Sequence, residues 1–181
     1  MFNLSTQEVV LSIEKSPLRI VHGTIYQEYR DFFGKEFSFP TLENRKFSKL
    51  EFQENKPRRR LDYNDDLIKR IKILFMNTNI TRALENKFNT ALKFDSADVW
   101  IDDKGYKLPP HRDDDRTKLA LQIYLSDNNE GTSLYDNDGT MRYTFPFKFN
   151  HGYALYNGVY SDHGVEEVEN DGRISLYVRY S

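Results

Sequence analysis

His111 and Asp113 carry two side chains that commonly bind metal ions, and a single residue separates them. On an extended strand, residues at this spacing leave the same face of the backbone, so both can reach one ion. A second histidine from elsewhere in the chain would complete a set of two histidines and one carboxylate. Such a set covers one face of an Fe(II) ion and leaves the opposite positions open to reactants.

The strand predicted for residues 173–180 has one apolar and one polar face. Alternation puts the aliphatic residues and Tyr180 on the first face, and the second carries Arg173, Ser175, Tyr177 and Arg179. The polar face therefore either meets water or lines a pocket that receives an anion.

The strand predicted for residues 119–126 is divided in the same way, with Gln122 and Tyr124 on its less apolar face. If both polar faces point into one barrel, Tyr124, Arg173 and Ser175 converge on a carboxylate, which the guanidinium binds through two charged hydrogen bonds. Two alternatives remain. Arg173 can pair with a glutamate such as Glu166 or Glu167, and Tyr124 can simply fill the core.

The C-terminal half resembles the 2-oxoglutarate- and Fe(II)-dependent dioxygenases, most closely their prolyl-4-hydroxylase-like branch. The residues that carry the resemblance are, in order, Gly105, His111-x-Asp113, Tyr124-Leu-Ser, Gly131-Thr, Gly152, His163-Gly-Val and Arg173-x-Ser175. Two features depart from that branch. Glu130-Gly-Thr-Ser replaces the usual Gly-Gly-Glu-Thr, and the arginines at 173 and 179 also resemble the AlkB-type nucleic-acid demethylases.

The resemblance implies that His111, Asp113 and His163 bind Fe(II). It also implies that Arg173, assisted by Tyr124 and Ser175, binds the distal carboxylate of the co-substrate 2-oxoglutarate. By the same resemblance, O2 would be the second co-substrate, and the products would be succinate, CO2 and a hydroxylated substrate. We expect a small-molecule or peptide substrate, and favour nucleic acid less.

Two other functions use the same residues differently. A non-catalytic jelly-roll binding domain would keep the fold without turnover. A zinc or manganese cupin-like enzyme would use the three ligands as a Lewis-acid site. Metal affinity alone does not separate these alternatives, because one ligand set accepts several ions.

Elements around the candidate site predict a mostly β fold with flanking helices. Ser5 and Glu8 form a capping box at the start of a short helix, and further helices are predicted at 65–76 and 81–92. Residues 18–25 are predicted as one strand, 26–37 as a short helix or irregular segment, and 40–64 as loop-rich. Arg58–Arg60 is expected to be a solvated loop, and the alternative is a patch that anchors a phosphate or a substrate. Eight strands follow, at 97–101, 106–110, 119–126, 132–135, 141–147, 153–157, 163–168 and 173–180.

This order predicts a double-stranded β-helix, or jelly-roll, barrel supported by N-terminal helices. We expect a single domain over residues 1–181, with residues 1–92 as a helical or mixed flank and 93–181 as the jelly-roll core. Trp100 and Tyr106, just before the predicted metal-binding strand, either border the substrate opening or pack in the core.

Composition restricts the partners and the compartment. The net charge of −2, from 26 basic and 28 acidic residues, gives no general attraction to nucleic acid or to a membrane. No cysteine is present, which excludes disulfides, thiolate metal sites and a cysteine nucleophile, and fits a cytoplasmic protein. Charged residues within the first twenty argue against a signal peptide or a membrane span.

Overall fold

A computed structural model describes residues 4–49 and 57–181 of the chain. Within these ranges the helices are α1 (Thr6–Lys15), α2 (Asp66–Phe75) and α3 (Thr78–Phe88). The strands are β1 (Leu18–Val21), β2 (Thr24–Tyr29), β3 (Phe47–Ser48), β4 (Arg58–Leu61), β5 (Phe94–Asp102), β6 (Leu108–His111), β7 (Leu119–Tyr124), β8 (Thr132–Tyr135), β9 (Met141–Phe145), β10 (Gly152–Tyr156), β11 (His163–Val165) and β12 (Arg173–Tyr180). The prediction of a mostly β chain with a few helices is confirmed.

The strands form two antiparallel sheets. The larger sheet has eight strands in the order β1-β2-β10-β7-β12-β5-β4-β3, and the smaller has four in the order β6-β11-β8-β9. Each strand pairing recorded in the described residues is antiparallel. Within the same residues, no helix is both long and apolar enough to cross a membrane.

Alternation along the central strands separates two hydrophobic clusters. Leu119, Leu121 and Ile123 of β7 pack in one cluster with buried residues of all three helices. Tyr124, from the opposite face of β7, belongs to a second cluster with aromatic residues of β9 and β10. The division of β7 into two faces, predicted from its sequence, therefore matches the structure, and the helices cover its aliphatic face.

The helix boundaries follow their capping residues. Ser5 accepts a hydrogen bond from the Glu8 amide, as the capping box predicts. Asp65 accepts one from the Leu67 amide, so it is the N-cap of α2 and not the first helical residue, as the predicted range 65–76 had it. The third helix begins at Thr78 instead of 81, because the Asn77 side chain accepts from the Asn79 amide. It ends at Phe88 because Asn89 adopts a left-handed conformation with φ of 49°.

Residues 18–29 form a hairpin instead of the predicted single strand followed by an irregular segment. His22 and Gly23 make the turn with φ values of 46° and 84°, and β2 then pairs with both β1 and β10. Positive φ at both central residues matches the right-handed twist of a hairpin. The usual sequence signals for such a turn are Asn-Gly and Asp-Gly, and His-Gly is not among them.

Arg58–Leu61 is a strand, so the prediction of a solvated loop here is wrong. Arg58 pairs with Asp102 in the register of β4 and β5, and Arg60 pairs with Trp100. Alternation sends Arg58 and Arg60 to one face, while Arg59 points the other way and binds Asp103. Pairing with β5 therefore stabilises three consecutive arginines as part of the larger sheet. Residues 50–56 of the predicted loop-rich stretch lie outside the described residues.

The pairing of β6 with β11 sets the two histidines opposite each other. His163 is the register partner of His111. A Cβ atom on the next residue, Gly164, would lie 2.6 Å from the Leu108 carbonyl oxygen. Because glycine lacks that atom, the two backbones approach closely enough to pair.

Candidate metal centre and adjoining cavity

Three side chains that can bind a metal converge at the junction of β6 and β11. His111 ends β6, Asp113 follows it, and His163 begins β11. One ligand atom from each lies within 4.8 Å of the other two. The imidazole centroids are 4.6 Å apart, and His163 Nε2 is 3.9 Å from an Asp113 carboxylate oxygen. Ions bound at about 2.0–2.2 Å from nitrogen and oxygen ligands fit between atoms at this spacing.

The environment of the two imidazoles suits metal binding. His111 Nδ1 lies 3.0 Å from the Pro109 carbonyl oxygen, and His163 Nδ1 lies 2.9 Å from that of Ser161. A proton on each Nδ1 would donate to these carbonyls and leave Nε2 free to bind an ion. Burial lowers the pKa of His163, an effect that Asp113 opposes and His111 reinforces. Burial therefore favours the neutral imidazole, which is the form that binds metals.

Tyr177 and Asn157 hold the carboxylate ligand in place. The Tyr177 hydroxyl lies 2.9 Å from each Asp113 carboxylate oxygen, so it can donate to either. Asn157 Nδ2 donates to the Asp113 carbonyl at 3.3 Å and to the Thr117 carbonyl at 2.9 Å, which fastens the loop after β6. Tyr177 belongs to the predicted polar face of its strand, but no pattern in the sequence indicates its partner.

Replacing Tyr177 with phenylalanine is expected to weaken metal binding by about 10- to 100-fold, because it removes a hydrogen bond that orients the carboxylate ligand. The ring remains, so the fold should be preserved. Anaerobic titration with Fe(II) measures the effect. Tyr135→Phe is the matched control, since it removes a hydroxyl that binds Glu166 at 2.6 Å. Equal metal affinity in Tyr177→Phe and the unaltered protein would contradict this role.

Arg173 is fully buried and belongs to a row of three charged side chains across β4, β5 and β12. Asp102 lies between two arginines, 2.5 Å from Arg173 Nη1 and 2.6 Å from Arg58 Nε. Two guanidinium groups therefore share one buried carboxylate, which leaves an excess of positive charge. The alternative partners considered from sequence, Glu166 and Glu167, are not the ones that Arg173 contacts.

Arg173 lies behind the cavity wall rather than in it. Its Nη2 is 3.4 Å from the Thr132 hydroxyl, and Thr132 lines the cavity that contains the three candidate metal ligands. Its Nε donates to the Glu130 carbonyl at 2.9 Å. The guanidinium also lies over the Phe147 ring, 4.5 Å from its centroid.

Tyr124 shares that aromatic neighbour with Arg173. Its ring stacks on Phe147 with centroids 4.0 Å apart, and its buried hydroxyl has no hydrogen-bond partner among the described residues. Burial raises the pKa of Tyr124, and the charge of Arg173 lowers it. A buried hydroxyl normally has a partner, so this one fits a ligand oxygen beside Arg173. Ser175 instead accepts from Gln122 Nε2 at 3.1 Å.

A cavity of about 440 Å³ extends from His111, Asp113 and His163. On one side it is lined by Thr132, Gln122 and Tyr153. Gln122 Oε1 accepts hydrogen bonds from the Thr132 hydroxyl at 2.9 Å and from the Tyr153 hydroxyl at 2.7 Å. This network gives the cavity a fixed polar wall in front of Arg173 and Tyr124.

Strands β4 and β5 line the other side of the cavity. Trp100 borders it, as one sequence interpretation proposed, together with Arg58 and Arg60. Tyr106 is a core residue instead, because it is fully buried with the Arg58 guanidinium 4.4 Å from its ring centroid. Burial raises the pKa of Tyr106 to about 12, although Arg58 opposes the effect.

The two remaining histidines lie outside the site. His22 is largely exposed in the β1–β2 turn, 3.8 Å from a carboxylate oxygen of Asp136. His151 Nδ1 lies 2.9 Å from the Phe149 carbonyl oxygen in the loop before β10. Neither joins the group of potential ligands that the described residues contain.

Comparison by sequence identifies no relatives, whereas comparison by structure does. No protein-family model and no curated protein sequence matches the chain. Prolyl 4-hydroxylase from Phytophthora capsici is similar with a TM-score of 0.65 at 16% identity, over 100% of this chain and 66% of the other.

Two further structures extend the likeness. A Trichoplax adhaerens prolyl hydroxylase, in complex with a hypoxia inducible factor peptide, has a TM-score of 0.61 at 12% identity, over 97% of this chain and 88% of the other. HygX from Streptomyces hygroscopicus, with nickel, 2-oxoglutarate and hygromycin B bound, has a TM-score of 0.61 at 12% identity, over 86% of this chain and 82% of the other. At such identities the likeness establishes the fold alone, and it confirms the fold resemblance inferred from sequence.

Proposed function

Because the chain has the fold of the 2-oxoglutarate- and Fe(II)-dependent oxygenases, prolyl 4-hydroxylases among them, we propose that it is an enzyme of that kind. The reaction would hydroxylate a substrate and release succinate and CO2. One observation carries this proposal: two imidazoles and a carboxylate meet, within 4.8 Å, in a cavity backed by buried positive charge. A closed structural zinc site would instead use four protein ligands.

In this proposal His111, Asp113 and His163 hold Fe(II). Their arrangement on one side leaves the remaining coordination positions facing the cavity. Together with 2-oxoglutarate and O2, the iron supplies an oxidant able to hydroxylate an unactivated C–H bond. Tyr177 keeps the Asp113 carboxylate oriented, and the carbonyls of Pro109 and Ser161 keep each imidazole in the tautomer that binds metal.

Arg173, Tyr124 and Thr132 would bind the distal carboxylate of 2-oxoglutarate. The excess positive charge of the Arg58–Asp102–Arg173 row attracts an anion, and the unpartnered Tyr124 hydroxyl offers it a hydrogen bond. Since Arg173 does not line the cavity, the carboxylate would approach it beside Thr132. Ser175 would act indirectly, by orienting Gln122.

The proposal includes the finer features of the architecture. The two antiparallel sheets would be the walls of a double-stranded β-helix in a single domain over residues 1–181, with residues 1–92 as its flank. A cytoplasmic location fits the absence of cysteine.

Anaerobic addition of 2-oxoglutarate to the Fe(II)-loaded protein tests the function. A keto acid chelated to Fe(II) produces a weak metal-to-ligand charge-transfer absorption band, which a zinc or manganese cupin-like enzyme would not show. Succinate formation in air then tests turnover. A protein that binds metal but gives neither the band nor succinate would support the Lewis-acid enzyme. One that binds neither metal nor keto acid would support a binding domain.

Replacing Arg173 with methionine is expected to raise the dissociation constant for 2-oxoglutarate by about 10- to 100-fold, because a charged hydrogen bond to the carboxylate is lost. Fe(II) affinity should stay unchanged. The variant should fold, because Asp102 keeps its ion pair with Arg58. Arg59→Met is the control, since Arg59 binds the partly exposed Asp103. Equal losses of Fe(II) and 2-oxoglutarate affinity would contradict the role of Arg173.

A further inference from the structure

Arg60 and Asp98 form an incomplete ion pair in the cavity wall. Both side chains line the cavity, yet Arg60 Nη1 and Asp98 Oδ1 are 3.8 Å apart, too far for a hydrogen bond. Asp98 is 6% exposed, and neither its Oδ1 nor Arg60 Nε has a hydrogen-bond partner in the part of the chain that the structure describes. Buried charged groups are normally fully hydrogen-bonded, so this pair is arranged to receive another molecule.

Neighbouring side chains keep Arg60 from closing onto Asp98. Its Nη1 donates to the Tyr63 hydroxyl at 2.5 Å, and its guanidinium lies 3.7 Å from the Tyr63 ring centroid. The Trp100 ring lies on another side, 5.9 Å from the same guanidinium. Tyr63 also hydrogen-bonds Asp98, so it bridges the two charged groups. Arg60 Nε and Asp98 Oδ1 stay unused, which leaves one donor and one acceptor position side by side.

The pair lies close to the candidate metal centre. Asp98 of β5 is the register partner of Tyr177 of β12, and Tyr177 binds the candidate ligand Asp113. Neighbouring strands are about 4.8 Å apart, so the end of a molecule that binds Asp98 would lie about that far from Tyr177. Arg179, two residues beyond Tyr177, lines the same side of the cavity and adds a second positive charge there.

We propose that Arg60 and Asp98 are the substrate subsite for a free α-amino acid. Arg60 would bind the α-carboxylate and Asp98 the α-ammonium group, which directs the amino-acid side chain toward His111, Asp113 and His163. Both charged groups of an α-amino acid are attached to one carbon, so they match a guanidinium and a carboxylate held next to each other. The reaction at that side chain rests on the proposed function, whereas the binding does not.

The charges favour a free amino acid over a peptide. A peptide also presents a donor beside an acceptor, but its amide groups are neutral and cannot neutralise either buried charge. The cavity of about 440 Å³ must also admit the co-substrate, which leaves room for a small molecule. A simple anion would bind Arg60 but leave the buried Asp98 carboxylate without a partner, whereas an α-amino acid supplies a partner for both groups.

Trp100 makes binding directly measurable. It is the single tryptophan of the chain, it lines the cavity, and it is the register partner of Arg60. Each of the twenty common free amino acids is titrated into the full-length protein without metal, with tryptophan fluorescence and calorimetry as readouts. We expect saturable binding of one or a few of them. Their methyl esters and N-acetyl derivatives should bind at least about 10-fold more weakly, because each lacks one charged group.

Two variants assign the charges separately. Arg60→Met should remove the preference for the free acid over its methyl ester, and Asp98→Asn should remove the preference for the free amine over its N-acetyl derivative. Arg59→Met is the matched control, because Arg59 points away from the cavity and binds Asp103. The comparison of derivatives on the unaltered protein stands even if a variant fails to fold.

Three results would overturn the subsite: no saturable binding of any free amino acid, equal binding of the N-acetyl amides, or unchanged preferences in both variants. The same measurements distinguish failure of the subsite from failure of the proposed enzyme function. Amino-acid binding without the charge-transfer band or succinate would keep the subsite and overturn the oxygenase. Succinate formation without amino-acid binding would keep the oxygenase and overturn the subsite.

Discussion

Replacing His163 with alanine is expected to lower Fe(II) affinity by more than about 100-fold, and with it to abolish succinate formation. Loss of an outer hydrogen-bonding partner of a metal ligand already lowers affinity by about 10- to 100-fold, so loss of a ligand should have a larger effect. Only His111 and Asp113 would then remain of the three convergent side chains. Anaerobic calorimetry with Fe(II) and a succinate assay measure the two effects.

His22→Ala is the matched control for this prediction. His22 is also a histidine near a carboxylate, 3.8 Å from Asp136, but it lies in an exposed turn away from the cavity. Its removal should leave both Fe(II) affinity and succinate formation unchanged. If His163→Ala bound Fe(II) as tightly as His22→Ala does, the three-residue metal site would be refuted.

Replacing Asp102 with asparagine is expected to lower the free energy of unfolding by about 3–5 kcal/mol, the usual effect of removing one partner from a buried ion pair. Asp102 is fully buried and is the shared counter-ion of Arg58 and Arg173, at 2.6 and 2.5 Å. Without its charge, two guanidinium groups would remain in the interior with no counter-ion. Urea unfolding followed by circular dichroism measures the change.

Asp103→Asn provides the comparison at the next position of the same chain. Asp103 also binds an arginine of β4, Arg59, but the two side chains are 26% and 41% exposed. Exposed ion pairs contribute about 1 kcal/mol or less, so this variant should unfold close to the unaltered protein. If both variants lost the same free energy of unfolding, the stabilising role given to Asp102 between Arg58 and Arg173 would be contradicted.

Alternation of side chains was sufficient to predict most of the sheet strands. β8 and β12 have the bounds that were predicted, and the aliphatic face of β7 packs against the helices as expected. This information is local, because each strand carries its own pattern and its turns carry their own residues. The helix over Asp66–Phe75 is predicted for the same reason, since its apolar residues recur at helical spacing.

The predictions failed where partners distant in sequence decide the structure. Arg58–Leu61 has the composition of a solvated loop, but pairing with β5 makes it a strand. The hairpin at His22 is stabilised by pairing of β2 with β10, which lies more than a hundred residues later. Intrinsic preferences are weak compared with such pairing, so composition alone misleads at these places.

At the candidate site, residue types and strand alternation indicate which side chains are available and which face of its strand each one occupies. His111 and Asp113 were identified by their spacing, and Arg173 by its place on a polar face. The tertiary structure decided which side chains meet: Tyr177 with Asp113, Asp102 with two arginines, and Arg60 with Asp98. The physical reason is that a strand's two-residue period sets the face locally, whereas cross-strand neighbours depend on strand order and register, which only long-range pairing establishes.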